Sequence, residues 1–249
     1  MSENSTPRLQ VKGVSKRFGA LQALSNISFE VGRGEVLALL GDNGAGKSTM
    51  IKIISGSHQP DDGELLFDGK RVQVHNPHEA KDLGIETVYQ DLSLCPNMDV
   101  VANFFMGREL TRNFLGFKVL REKEMEDFTR QSLADIGSNI PDLRKRVEYL
   151  SGGQRQAIEL ARFVAWGGKL VMLDEPFAAL GVEQTKRGLQ LIETVRKKGI
   201  SIIVITHNIA HAFQVADRII VFRQGQVVGI KNRKATNPDE VVNLITGDL

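Results

Sequence analysis

The sequence predicts an α/β fold: a parallel-sheet core, an antiparallel β portion and an inserted helical region. Three observations carry this reading. Apolar runs at 36–40, 170–173, 202–205 and 219–222 do not alternate, which suits strands buried on both faces between helices. By contrast, Ile27, Phe29 and Val31 alternate with polar residues, and Leu65 and Phe67 lead to an Asp68-Gly69 turn. That pattern belongs to antiparallel strands with one buried face. Between Asp91 and about Arg162 no strand pattern is evident, and helical spacing takes over.

Each element follows from local chemistry. The run Val36 to Leu40 enters a glycine-rich turn, and a helix is expected from Lys47 to Ser55, ending at Gly56. In the middle region Met125, Phe128, Leu133 and Ile136 share one helical face that stops at Gly137. A further helix over 183–198 turns Leu191, Ile192 and Val195 to one side. Its Arg196, Lys197 and Lys198 complement the C-terminal dipole before Gly199, and they read as a solvated helix end. Asn237, Pro238 and Glu240 cap a last helix that closes at Gly247. The expected organisation is a single domain over 1–249, with the helical subdomain at about 91–162.

Composition narrows the function. The chain has 249 residues, 41% hydrophobic and 25% charged, enough to bury a core without staples. Its net charge of +2 gives no electrostatic footprint for nucleic acid. One cysteine, Cys95, excludes an intrachain disulfide and a cysteine-based zinc cluster, and fits a reducing compartment. The longest unbroken apolar run is five residues, Val36 to Leu40, far from the ~20 that span a bilayer. The polar N-terminus lacks a signal-peptide pattern, so a cytosolic location is expected.

Chemistry enters at Gly41-Asp42-Asn43-Gly44-Ala45-Gly46-Lys47-Ser48-Thr49, which matches G-x-x-x-x-G-K-[ST] between a strand and a helix. Glycines let backbone N–H groups turn inward around an anion, and the helix start adds partial positive charge. Lys47 would reach terminal phosphates and Ser48 would hold Mg²⁺. Leu170 to Leu173 then deliver Asp174 and Glu175 to a strand end. Asp174 suits the metal's shell, and Glu175 is placed to activate water. Leu150-Ser151-Gly152-Gly153-Gln154 opens another helix. Ser151 and Gln154 have capping-box spacing, and the two glycines leave N–H groups open for a second anion.

In this order, 41–49, 150–154 and 170–175 resemble the nucleotide-binding subunit of ABC transporters, and the match covers nearly the whole chain. The resemblance implies an ABC ATPase fold and ATP with Mg²⁺ as ligands. It also implies a head-to-tail pair, as a homodimer or with a similar subunit, that sandwiches ATP between one chain's Gly41, Asn43, Gly44, Ala45, Gly46, Lys47, Ser48 and Thr49 and the other's Ser151, Gly153 and Gln154. Phe18 is similar to the aromatic that stacks on adenine, more often Tyr in the family. Gln90 matches the glutamine that senses Mg²⁺ and the transmembrane partner. His207 matches the histidine that contacts the γ-phosphate. From spacing alone, Gln90 is a polar strand end and His207 a structural histidine. After Pro176 the family's Leu-Asp is missing, replaced by Ala178-Ala179-Leu180-Gly181.

That stretch and the start of the phosphate loop resemble importers of ribose, xylose and fructose, many of which fuse two cassettes. The resemblance therefore implies an ATPase driving import of a sugar, with permease subunits in the membrane, a sugar-binding protein outside, and a position on the cytoplasmic face. A non-transport ABC ATPase and a cassette for another solute are the competing readings. An ATP-holding regulator without turnover has no use for Glu175. The long coiled-coil insertion of chromosome-type relatives is absent between Lys47 and Ser151, and ribosome-acting relatives usually carry two cassettes.

Overall fold

The computed structural model describes residues 6–88, 94–178 and 181–247. In chain order the elements are β1 (Leu9–Phe18), β2 (Leu21–Val31), β3 (Val36–Leu40), α1 (Lys47–Ile54), β4 (Asp62–Phe67), β5 (Lys70–Val72), α2 (Pro77–Leu83) and β6 (Ile85–Val88). There follow α3 (Val100–Phe105), β7 (Thr111–Phe114), β8 (Phe117–Leu120), α4 (Glu122–Asp135) and α5 (Gly152–Ala165). The chain continues through β9 (Leu170–Asp174), α6 (Val182–Lys197), β10 (Ser201–Ile205), α7 (Ile209–Val215), β11 (Arg218–Arg223), β12 (Gln226–Asn232) and α8 (Pro238–Thr246). Two compact units emerge, one from 1–90, 168–178 and 196–249, the other from 91–167 and 179–195.

In the first unit a six-stranded sheet runs β12-β11-β3-β10-β9-β6, parallel except for the β11–β12 pair. The non-alternating apolar runs sit in it because both faces are covered. Leu37 and Leu39 of β3 join one buried cluster with Met50, Ile51, Ile53 and Ile54 of α1. Ala38 and Leu40 face the other way, among Ala212, Ile219 and Val241. A four-stranded antiparallel sheet, β2-β1-β4-β5, sends Val11, Ile27, Phe29, Leu65 and Phe67 into the cluster around α1. Between Ile27 and Val31 the outward Ser28 and Glu30 are polar and exposed, so the alternation there was readable.

The second unit is mainly helical, with one correction. The 91–162 region does contain strands: β7 and β8 form a hairpin that pairs Phe114 with Phe117. All eight strand residues are exposed, so no buried face imposes alternation. The turn, Leu115-Gly116, also lacks the usual Asn or Asp, and Leu115 takes a left-handed φ of 49°. In the same unit, Phe104 and Phe105 of α3, Phe128 of α4 and Trp166 pack ring to ring at 5.4–6.4 Å.

Candidate nucleotide site

The first unit places a phosphate-sized loop at the end of β3. Gly41 has a φ of +147°, and a Cβ there would stand 2.2 Å from the Phe222 carbonyl oxygen. Only glycine fits. Gly46 caps α1 with a φ of +103° and no side-chain cap, so the helix's first N–H groups remain open to a ligand. Asn43 and Gly44 are exposed, Ala45 is buried, and Ser48 lies exposed in the first turn beside half-buried Thr49. The Gly225 N–H donates to the Ala45 carbonyl at 3.1 Å, fixing the loop against the β11–β12 turn.

Lys47 is buried, and its ammonium donates to the carbonyls of Gly41 at 2.6 Å and Asp42 at 2.9 Å. Burial pulls its pKa down, against the attraction of Glu175, Asp174 and Asp42. A cation held at the loop's mouth by two neutral acceptors is poised to exchange them for phosphate oxygens. Asp174 ends β9, in register with Ile205 of β10. Its pKa is raised, first by burial and then by Glu175, while Lys47 and Lys52 oppose the shift.

Glu175 leaves the strand with a left-handed φ of 48°, its N–H bonded to the Ile205 carbonyl at 2.9 Å. This turn brings the carboxylate to the end of β10. One oxygen accepts from the His207 N–H at 3.0 Å and from the His207 ring Nδ1 at 2.7 Å. The other accepts from the Thr206 hydroxyl at 3.1 Å, and that hydroxyl in turn accepts from the Asn208 N–H. Because a carboxylate only accepts, Nδ1 carries the proton, which leaves Nε2 for another group. The sequence singled out Glu175 and His207 separately; their direct pairing and the buried Thr206 that anchors them were missed. The strained φ at Glu175 has no sequence signature, whereas Thr206 was detectable only as the neighbour of His207.

Phe18 closes β1 with its ring 43% exposed. The His58 ring meets it edge-on at 5.3 Å, and the Lys16 ammonium lies 5.5 Å from its centroid. Gln90 falls outside the described residues, as do Ala179 and Leu180. Gly181 is exposed, and its carbonyl accepts from Thr185 at 2.9 Å.

In the second unit, Ser151 caps α5. Its hydroxyl accepts from the Gln154 N–H at 3.3 Å, while the Gln154 side-chain oxygen accepts from the Ser151 N–H at 3.1 Å. The capping box is real. Yet a Cβ on Gly153 would meet nothing within 4 Å, so the described chain itself does not require glycine there.

A fit test for Mg²⁺ rests on donor chemistry. Among the described residues no group of three or more His, Cys, Asp or Glu is placed to hold a metal. A Ser48 hydroxyl and one Asp174 carboxylate are hard oxygen donors, and Mg²⁺ typically takes one or two such ligands with water and substrate phosphates completing the shell. These residues fit.

Comparison with known proteins gives matches at the level of family, sequence and fold. The family described as ABC transporter matches residues 24–178. A xylose/arabinose import ATP-binding protein of Sulfolobus acidocaldarius is 45% identical over 238 residues, covering 96% of this chain and 93% of that protein. A fructose import ATP-binding protein of Rhizobium meliloti is 44% identical, covering 97% and 94%. A ribose import ATP-binding protein of Burkholderia cenocepacia is 37% identical, but the chain spans only 48% of its length. Among solved structures, cbiO1 of Clostridium perfringens, part of an ABC transporter complex, has a TM-score of 0.77 at 29% identity, covering 92% and 90%. The ADP conformation of an ATP-binding cassette of an ABC transporter has a TM-score of 0.80 at 24% identity, covering 97% and 96%, which shows the shared fold.

Proposed function

This chain belongs to the ABC transporter family, and from that premise we propose that it is the ATPase subunit powering import of a monosaccharide through separate membrane subunits. It binds and hydrolyses ATP as its family does. The observation carrying the catalytic part is the Glu175–Thr206–His207 cluster in the same unit as Lys47. In this reading residues 41–49 cradle the phosphates and Lys47 neutralises the terminal ones. Ser48, Asp174 and Gln90 would hold Mg²⁺, which when bound would offset charge on the phosphate oxygens.

Glu175 takes a proton from the attacking water. Thr206 and the His207 backbone fix its carboxylate, and His207 contacts the γ-phosphate. Phe18 stacks on the base. Ser151, Gly153 and Gln154 serve the nucleotide of a second chain, because Gly153 has room before it that the chain itself does not use. Permease subunits, and a sugar-binding protein outside, complete the machine. None of the described helices is long and apolar enough to cross a membrane, which fits a subunit bound peripherally at the cytoplasmic face.

Two experiments test this. Glu175→Gln keeps the side chain's shape but cannot accept the proton, so phosphate release should fall by ~10²–10⁴ while ATP still binds. Wild-type turnover would remove Glu175 as the base. Deleting the subunit should abolish uptake of one monosaccharide at low concentration. A defect confined to amino acids, metals or lipids would leave the ATPase standing and overturn the substrate class.

A further inference from the structure

None of the residues assigned to nucleotide chemistry lies in the β7–β8 hairpin, and its surface is unusual. Leu115 at the tip is 83% exposed, Phe117 75% and Phe114 59%, with Val119 and Leu120 also exposed. The pairing register puts Phe114 and Phe117 opposite each other, and Arg112 opposite Val119, on one face. The next face carries Asn113 with Lys118 and Thr111 with Leu120. A two-stranded hairpin gains little from its own pairing, and exposed aromatic edges of this kind invite aggregation unless they have a destination.

Charge selects the destination. Across 108–121, Arg108, Arg112, Lys118 and Arg121 stand against a single Glu109, with Glu122 and Glu124 following in α4. Arg121 pairs with Glu124 at 2.5 Å, and Arg108 lies over the Trp166 ring at 5.1 Å. Arg112 and Lys118 are exposed and have no ion-pair partner among the described residues. The polarity is graded along the strands: apolar tip first, Lys118 one residue back, Arg112 two back. At ~3.4 Å per residue, a tip sunk ~5 Å into the headgroup–acyl boundary holds both cations at phosphate level. A second copy of the hairpin would bring like charge against like. We infer that the β7–β8 hairpin is a lipid-contact element, inserting Phe114, Leu115 and Phe117 into an anionic membrane surface while Arg112 and Lys118 bind its phosphates.

The purified full chain, floated with phosphatidylcholine vesicles with or without phosphatidylglycerol, tests this. Wild type should float with the anionic vesicles, less as salt rises, and not with neutral ones. Phe114→Ser/Phe117→Ser and, separately, Arg112→Glu/Lys118→Glu should each weaken flotation by about tenfold or more. Both variants should keep the wild-type melting temperature and ATP turnover, which separates lost lipid contact from lost fold. Leu115→Trp should show a blue-shifted emission on the same vesicles. Equal binding to neutral vesicles, no binding, or unchanged flotation of both double variants would overturn the inference. So would variants that lose only co-purification with permease subunits, since the occupant would then be protein.

Discussion

Lys47 carries the cost of preparing a phosphate site within one side chain. Burial disfavours its charge, and the Gly41 and Asp42 carbonyls satisfy its hydrogens without neutralising it. Phosphate oxygens supply what is missing, so the interaction is worth more to binding than to folding. Lys47→Ala should therefore abolish binding of a fluorescent ATP analogue or its turnover. The fold should survive, with a melting shift within the ~2–4 °C that 1 kcal/mol produces at this size. Unchanged turnover would sink the phosphate-loop assignment.

Glu35 offers a cleaner electrostatic test at the same scale, because it precedes β3 at the end away from Gly41. Burial raises its pKa from 4.5, outweighing the Gly32 N–H and the Arg218 guanidinium 3.2 Å away. The native state thus binds this proton more tightly than the unfolded chain does. As pH rises from 4.5 through the raised value, Glu35 loses stability for the fold, and above that value the loss is constant. Urea unfolding across pH should show wild type losing ground to Glu35→Gln as pH rises from 4.5 through the raised value, and holding a constant difference above it. Parallel profiles would mean Glu35 is not held as its surroundings imply.

Among the elements, legibility followed burial. Strands β3, β9, β10 and β11 were plain because enclosure on both faces forces continuous apolar runs, and β2 and β4 because enclosure on one face forces alternation. The hairpin escaped because nothing buries it. At α5 the capping box could be read from Ser151 and Gln154, yet it could not separate a helix start from an anion site; only the open space at Gly153 argues for the latter. Phe128, read from the sequence only as part of a helical spacing, proves part of an aromatic cluster while 39% exposed itself. The weight of that cluster rests on fully buried Phe104. Phe104→Ala should cost about 3–5 kcal/mol by emptying its site. Trp166, the single tryptophan, sits 6.4 Å from Phe104 and stacks on Phe128, so its emission during urea unfolding reads the loss directly. A midpoint within error of wild type would mean that the cluster repacks at no cost.

For the whole molecule, the two proposed anion sites lie in different units, residues 41–49 in one and 151–154 in the other. A nucleotide shared head-to-tail by two chains would engage both, and its hydrolysis would dissolve the contact it makes. This predicts that Glu175→Gln, which keeps Lys47, Ser48 and Asp174 for binding, runs as a dimer with ATP by light scattering, while the nucleotide-free protein runs smaller. Ser151→Arg in the same background should return it to the smaller form, because the guanidinium's bulk enters the N–H nest at the start of α5 and displaces the capping hydroxyl. Its stability should fall only by the worth of a cap, about 1 kcal/mol, so unfolding cannot account for the lost dimer. The aspartate absent near Gly181 would have added contacts across such a pair, so the dimer should be weaker in isolation than with permease subunits bound. If Glu175→Gln binds ATP and stays monomeric even in the membrane complex, the ligand of Gly153 is not a second chain's nucleotide.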